Sequence, residues 1–112
     1  MTYESIAQMI DSISLPNSYY QFDDDSGQEP PFICFYYPRS KDFYADNQNY
    51  QKGTRLIIEL YTDEKDFEKE TEVEDALTEY GLTYSKEETY ISSEKMYVVS
   101  YEMEVIIDAR EE

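Results

Sequence analysis

Lys95-Met96-Tyr97-Val98-Val99-Ser100-Tyr101-Glu102-Met103-Glu104-Val105-Ile106-Ile107 is the stretch that decides the fold. Tyr97, Val99, Tyr101, Met103, Val105 and Ile107 fall at every second position, with Ser100, Glu102 and Glu104 between them. Side chains alternate across a strand with period two, so this pattern predicts a β-strand with one buried face and one wet face. The strand is longer than most and can outrun its sheet. An overhanging end leaves backbone groups free to pair with a neighbouring subunit. Residues 82–91 read as its partner, and Ser92-Ser93-Glu94 as the turn of a β-hairpin.

A third strand is predicted over 55–61, where Leu56, Ile58 and Leu60 share one face and Ile57, Glu59 and Tyr61 the other. Between it and the hairpin, a helix is expected from a cap at Thr62 or Asp63 to about Tyr80, with Gly81 at the position just past the end. Its buried stripe should be Val73, Leu77 and Tyr80, with Phe67 and Ala76 at the margins. Acids crowd this helix. Asp63, Glu64 and Asp66 near its start suit the helix dipole. The pairs Glu68–Glu72, Glu70–Glu74 and Asp75–Glu79 repel at four-residue spacing, by about 0.2–0.5 kcal/mol each. Lys65 and Lys69 offset part of that repulsion, so packing of the apolar stripe must hold the helix.

Towards the N-terminus, residues 2–14 read as a first helix. Ile6, Met9, Ile10 and Ile13 form its apolar stripe, Thr2 can cap it, and Pro16 limits it. A helix this short must dock on something to persist. Residues 19–22 look like a short strand and 23–31 like a turn-rich loop. Residues 32–37 form a continuous apolar strand, covered on both faces and limited by Pro38. Residues 39–53 carry no period and read as a long loop, a form that is often functional. The order helix, two or three strands, helix, two strands predicts an α+β fold. A mainly antiparallel sheet of four to five strands carries both helices on one face. The 112 residues fit a single domain spanning 1–112.

Composition narrows the chemistry. The formal net charge is -17, with 9 bases against 26 acids. Phosphate binding needs clustered Lys and Arg, so high-affinity contact with nucleic acid is not expected, nor is attachment to an anionic membrane. The chain has no His. That removes imidazole acid–base catalysis, Ser–His and Cys–His pairs, and most zinc sites. No glycine-rich phosphate loop is present. Asp23, Asp24, Asp25 and Glu29 could offer oxygens to Ca²⁺ or Mg²⁺, but Gly27 stands where a calcium loop needs a ligand. Cys34, the one cysteine, sits in an apolar run and reads as a buried, inert thiol. The expectation is a protein without catalytic, metal or cofactor residues, working by shape and surface charge. The 13 tyrosines suit interfaces as well as half-buried sheets. Phe43, Tyr44 and Tyr50 in the long loop, with Tyr36 and Tyr37 beside it, are the candidate subunit contacts. A second class of function also fits: the closely spaced acids of 63–79 resemble those of inhibitors that mimic DNA and bind a basic nucleic-acid-binding protein.

Several stretches carry a further resemblance. They are the amphipathic start ending near Leu15-Pro16, Pro31-Phe32-Ile33, Phe43-Tyr44-Ala45-Asp46-Asn47 with Tyr50, Ile58-Glu59-Leu60-Tyr61-Thr62, and Glu87-Glu88-Thr89-Tyr90-Ile91. In these the chain resembles the small tail-terminator and tail-completion proteins of long-tailed bacteriophages and prophages of Gram-positive bacteria. The resemblance implies an α+β subunit that self-associates into a ring, commonly a hexamer, at the head–tail junction. It also implies tail and connector proteins as partners, no cofactor, and residence in the host bacterial cytoplasm and then in the tail or neck of the virion. DNA would pass through such a ring, and an acidic lining would keep phosphates from adhering.

Overall fold

The computed structural model describes residues 1–22, 27–38 and 51–108, without the side chains of Gln51, Lys52 and Asp108. Seven elements follow in order: α1 (Tyr3–Asp11), β1 (Asn17–Tyr19), β2 (Phe32–Tyr36), β3 (Gln51–Thr62), α2 (Phe67–Glu79), β4 (Ser85–Ile91) and β5 (Met96–Asp108). The five strands form one sheet in the order β1-β2-β3-β5-β4. Every neighbouring pair is antiparallel except β1 with β2, which is parallel. The fold is α+β, and the sheet is mixed rather than wholly antiparallel.

Register explains why one face is the core. Ile33 lies opposite Leu60 and Phe35 opposite Ile58. Leu60 lies opposite Val99, Ile58 opposite Tyr101 and Leu56 opposite Met103. All of these side chains point to one side, and they form one buried cluster with Ile6, Met9, Ile10 and Ile13 from the α1 region and Val73, Ala76 and Leu77 of α2. Both helices therefore cover the same face. Each fully buried aliphatic side chain contributes on the order of 2 kcal/mol.

The helices begin and end on identifiable signals. Thr2 Oγ1 accepts from the Ser5 N–H at 3.0 Å, and Ser5 Oγ accepts from the Thr2 N–H at 3.0 Å, a reciprocal capping box. α1 stops at Asp11, sooner than the expected residue 14, and Ser14 takes a left-handed φ of 66°. α2 starts at Phe67 and not near Asp63, because Thr62 is still paired with Tyr97 in the sheet. Asp66 takes the cap, its carboxylate accepting from the Lys69 N–H at 3.1 Å. At the far end Gly81 has φ 73°. Leu82 N–H donates to Leu77 O and Gly81 N–H to Thr78 O, both at 2.9 Å. This is a Schellman closure, which glycine adopts without strain.

Several boundaries differ from expectation. The first strand is Asn17–Tyr19 rather than 19–22; it ends because Tyr20 turns left-handed, φ 72°. β3 starts at Gln51, so residues 51–53 belong to a strand and not to the long loop. Residues 39–50 of that loop lie outside the described residues. β4 starts at Ser85, with Leu82 and Tyr84 packed against the core just before it. On α2, Tyr80 and Phe67 are exposed, and Glu70 joins Val73, Ala76 and Leu77 on the buried stripe.

β3 and β5 are the long strands, and they overhang their neighbours. β2 reaches only as far as Tyr36 opposite Ile57, and β4 only as far as Ser85 opposite Glu102. Beyond those points the pairs from Leu56↔Met103 to Gln51↔Asp108 continue as a two-stranded ribbon. No third strand flanks it among the described residues. The ribbon is about 20 Å long.

Candidate assembly surface

The face of the sheet away from the helices starts with aromatic rings. Phe22 packs edge-on against Phe32 at 5.2 Å, and Phe32 stacks on Tyr61 at 4.7 Å. The Tyr61 hydroxyl donates to Glu59 Oε1 at 2.9 Å. Cys34 and Val98 point to this face, yet both are buried, so it is wet only in part. Burial, with Glu59 nearby, pushes the Cys34 thiol up to about 11. The thiol stays protonated and unreactive at neutral pH.

Tyr36 lies on β2 with its ring 5.0 Å from that of Tyr20. Burial and then the Glu59 carboxylate raise its phenol pKa. Tyr37 faces the other way. Its ring meets Tyr3 of α1 edge-on at 4.9 Å and stacks on Tyr19 at 6.0 Å, and its backbone N–H donates to the Tyr19 hydroxyl at 3.2 Å. Burial is the main cause of its strongly raised pKa. Of the candidate contacts, Tyr36 and Tyr37 thus flank the β1 edge from opposite faces. Phe43, Tyr44 and Tyr50 lie outside the described residues. Sequence reasoning missed Tyr19 and Tyr20 as edge residues, at 52% and 61% exposed. The available signal was their place in a stretch free of charge, residues 12–22.

Charge is partitioned sharply. Arg55 pairs with Glu102 at 3.1 Å, and Lys69 with Glu72 at 3.3 Å. Lys86 bridges Glu70 at 2.9 Å and Glu74 at 2.7 Å, while Lys65 bridges Glu70 and Glu88. Glu70 is 3% exposed. Burial alone would raise its pKa, but hydrogen bonds from Lys65 and Lys86 overcome that and hold it below the usual value. The same cluster takes in Tyr101, whose hydroxyl donates to Glu74 Oε2 at 2.8 Å. The outer carboxylates of α2 (Glu68, Glu72, Asp75 and Glu79) stay exposed.

Among the described residues no group of three or more carboxylate or thiol side chains is placed to hold a metal ion. The Asp23 to Asp25 run lies outside them. A shallow groove of about 380 Å³ runs where β4 parts from β5, lined by Arg55, Tyr84, Ser85, Glu102, Met103 and Glu104. Its one cation is already paired with Glu102. Among the described residues no helix is long and apolar enough to cross a membrane. No family model and no curated protein matches the sequence.

Proposed function

We propose that this chain is a non-catalytic structural subunit of a phage or prophage particle, one that assembles at the head–tail junction to terminate or complete the tail. The observation that carries the reading is the β3–β5 ribbon, whose outer edges are unpaired among the described residues. An exposed strand edge is a template for another chain, and a protein that must stay apart from its neighbours blunts such edges. The resemblance of the sequence to tail-terminator proteins supplies the particle, and a ring, commonly hexameric, is the assembly it implies. The subunit would be made in the host cytoplasm and end in the tail or neck. Exposed carboxylates support passage of DNA without adhesion, because fixed negative charge repels phosphates.

The test is completion. Tails assembled without this protein should lack a capped end, run to irregular length, and fail to join heads. Adding the purified chain should cap them and restore joining, as seen by electron microscopy. Tails of normal length that join heads without it would overturn the reading.

The exposed row Glu68, Glu72, Asp75 and Glu79 on α2 favours one other reading, an inhibitor that presents carboxylates as a DNA mimic. Such an inhibitor would co-elute with a basic DNA-binding protein in gel filtration and release it as salt is raised. The Lys86 bridge weakens this alternative, because it withdraws Glu70 and Glu74 from the outer row.

A further inference from the structure

A chain of net charge -17 has few places where two copies can meet without repulsion. Two stand out. Residues 12–22 and 30–38, which contain β1 and β2, hold no charged residue. The ribbon, 51–56 with 103–108, holds Lys52 and Arg55 against Glu104 and Asp108, a balance of zero. By contrast α2 alone carries six acids and one base. Both neutral places also offer unsatisfied surface. Tyr19 is 52% exposed, Tyr20 61% and Ile106 49%. Charge-depleted patches with exposed tyrosine and an open strand edge are what interface cores are made of.

Tyr20 adds a second kind of observation. It is held at φ 72° with its N–H donating to Phe35 O at 2.7 Å. A bulky residue rarely takes that conformation, because its Cβ crowds the backbone there. Asn, Asp or Gly would suit the turn better, and the tyrosine there places an exposed ring beside β1.

The two patches differ in sequence and belong to different parts of the sheet. β1 forms one edge strand, and the ribbon extends two central strands beyond the sheet. We propose that the partner of each is the other, on a second copy of this chain: the ribbon of one subunit docks on the tyrosine-rich β1–β2 edge of the next. Such a contact is heterologous. The pair keeps one unused patch of each kind, an edge on one copy and a ribbon on the other, so the contact propagates and closes only as a ring. This inference rests on the assembly reading above and names the contact it uses.

Salt gives one test. The contact itself is neutral, and the rest of each subunit repels the other, so self-association followed by sedimentation should strengthen from 50 to 500 mM NaCl as screening shortens to a few ångströms. Association that weakens with salt would overturn the proposal.

Complementation gives the sharper test. Tyr20→Asp suits the left-handed backbone and places a charge on the edge. Ile106→Glu places one on the ribbon, opposite Gly53. Arg55→Glu unbalances the ribbon at a half-exposed side chain, without touching the core. With folding confirmed by urea unfolding, each variant alone should associate roughly 30-fold more weakly than the parent. An equimolar mixture of Tyr20→Asp with Ile106→Glu should form a one-to-one dimer that goes no further, because one good patch remains on each. Variants that assemble normally would sink this contact while leaving the assembly reading intact. Two defective variants that do not complement would mean a symmetric contact and overturn the proposal. A parent that stays monomeric at every concentration would also overturn it, whereas the assembly reading would then be decided by tail completion.

Discussion

Glu70 shows what a single residue can hide. In the sequence it is one acid among many on α2, paired by spacing with Glu74 and expected to repel it. In the structure it is almost fully buried, and both carboxylates are gripped by Lys86. Lys65, five positions before Glu70, is within sight on the same stretch, but the shared cation comes from β4, sixteen positions after Glu70. Strand alternation held a faint sign of it: Lys86 lies opposite Tyr101 and so turns towards the helices. Lys86→Met should therefore cost about 1–2 kcal/mol in urea unfolding, since it leaves a buried carboxylate short of a partner. Lys69→Met, which breaks an exposed pair within α2, should cost under about 0.5 kcal/mol. The pH dependence has a defined sign. Glu70 titrates below its unfolded value of 4.5, so its contribution is complete above that pH and is lost as pH falls through the lower folded value. The stability gap between the parent and Glu70→Gln should be flat from about pH 8 to 5 and should close on further acidification. A gap that widens with acid would contradict this arrangement.

At the scale of elements, long periodic segments were legible and short ones were not. Alternation over 55–61 and 95–107 placed β3 and β5 on the correct faces, with Leu56, Ile58, Leu60, Val99, Tyr101 and Met103 all buried. β1 is three residues, too short for any period, and its parallel pairing depends on backbone bonds to β2. A cap at Thr62 or Asp63 is expected because, in isolation, either is as good as Asp66. Only the reach of β3, opposite Tyr97, decides between them. Among the candidate contacts, Tyr36 and Tyr37 were legible as aromatic neighbours, but that they lie on opposite faces follows from strand pairing. α2 also carries the salt prediction. With Glu70 and Glu74 neutralised, the exposed acids Glu68, Glu72, Asp75 and Glu79 still repel one another and their surroundings. Salt screens those exposed charges more than it weakens the Lys86 bridge to buried Glu70. The melting temperature should therefore rise by a few degrees from about 20 to 300 mM NaCl. A steady fall would mean that the ion pairs outweigh the repulsions.

Across the whole molecule, the decisive fact is the strand order. Among the described residues β5 follows β4 in the chain, yet it lies between β3 and β4, and β4 pairs with no other strand. A nascent chain that has left the ribosome only as far as Ile91 can form the β1–β2–β3 portion, but the inner edge of β3 is then bare and β4 has no strand to join. At ordinary translation speeds that interval lasts for seconds. A bare, apolar edge is an invitation to stick to other unfinished chains. Already out by then, between β3 and β4, is α2, the most acidic of the described elements. Its carboxylates give each growing polypeptide a like charge beside its most adhesive strand, so molecules on adjacent ribosomes are held apart until β5 arrives.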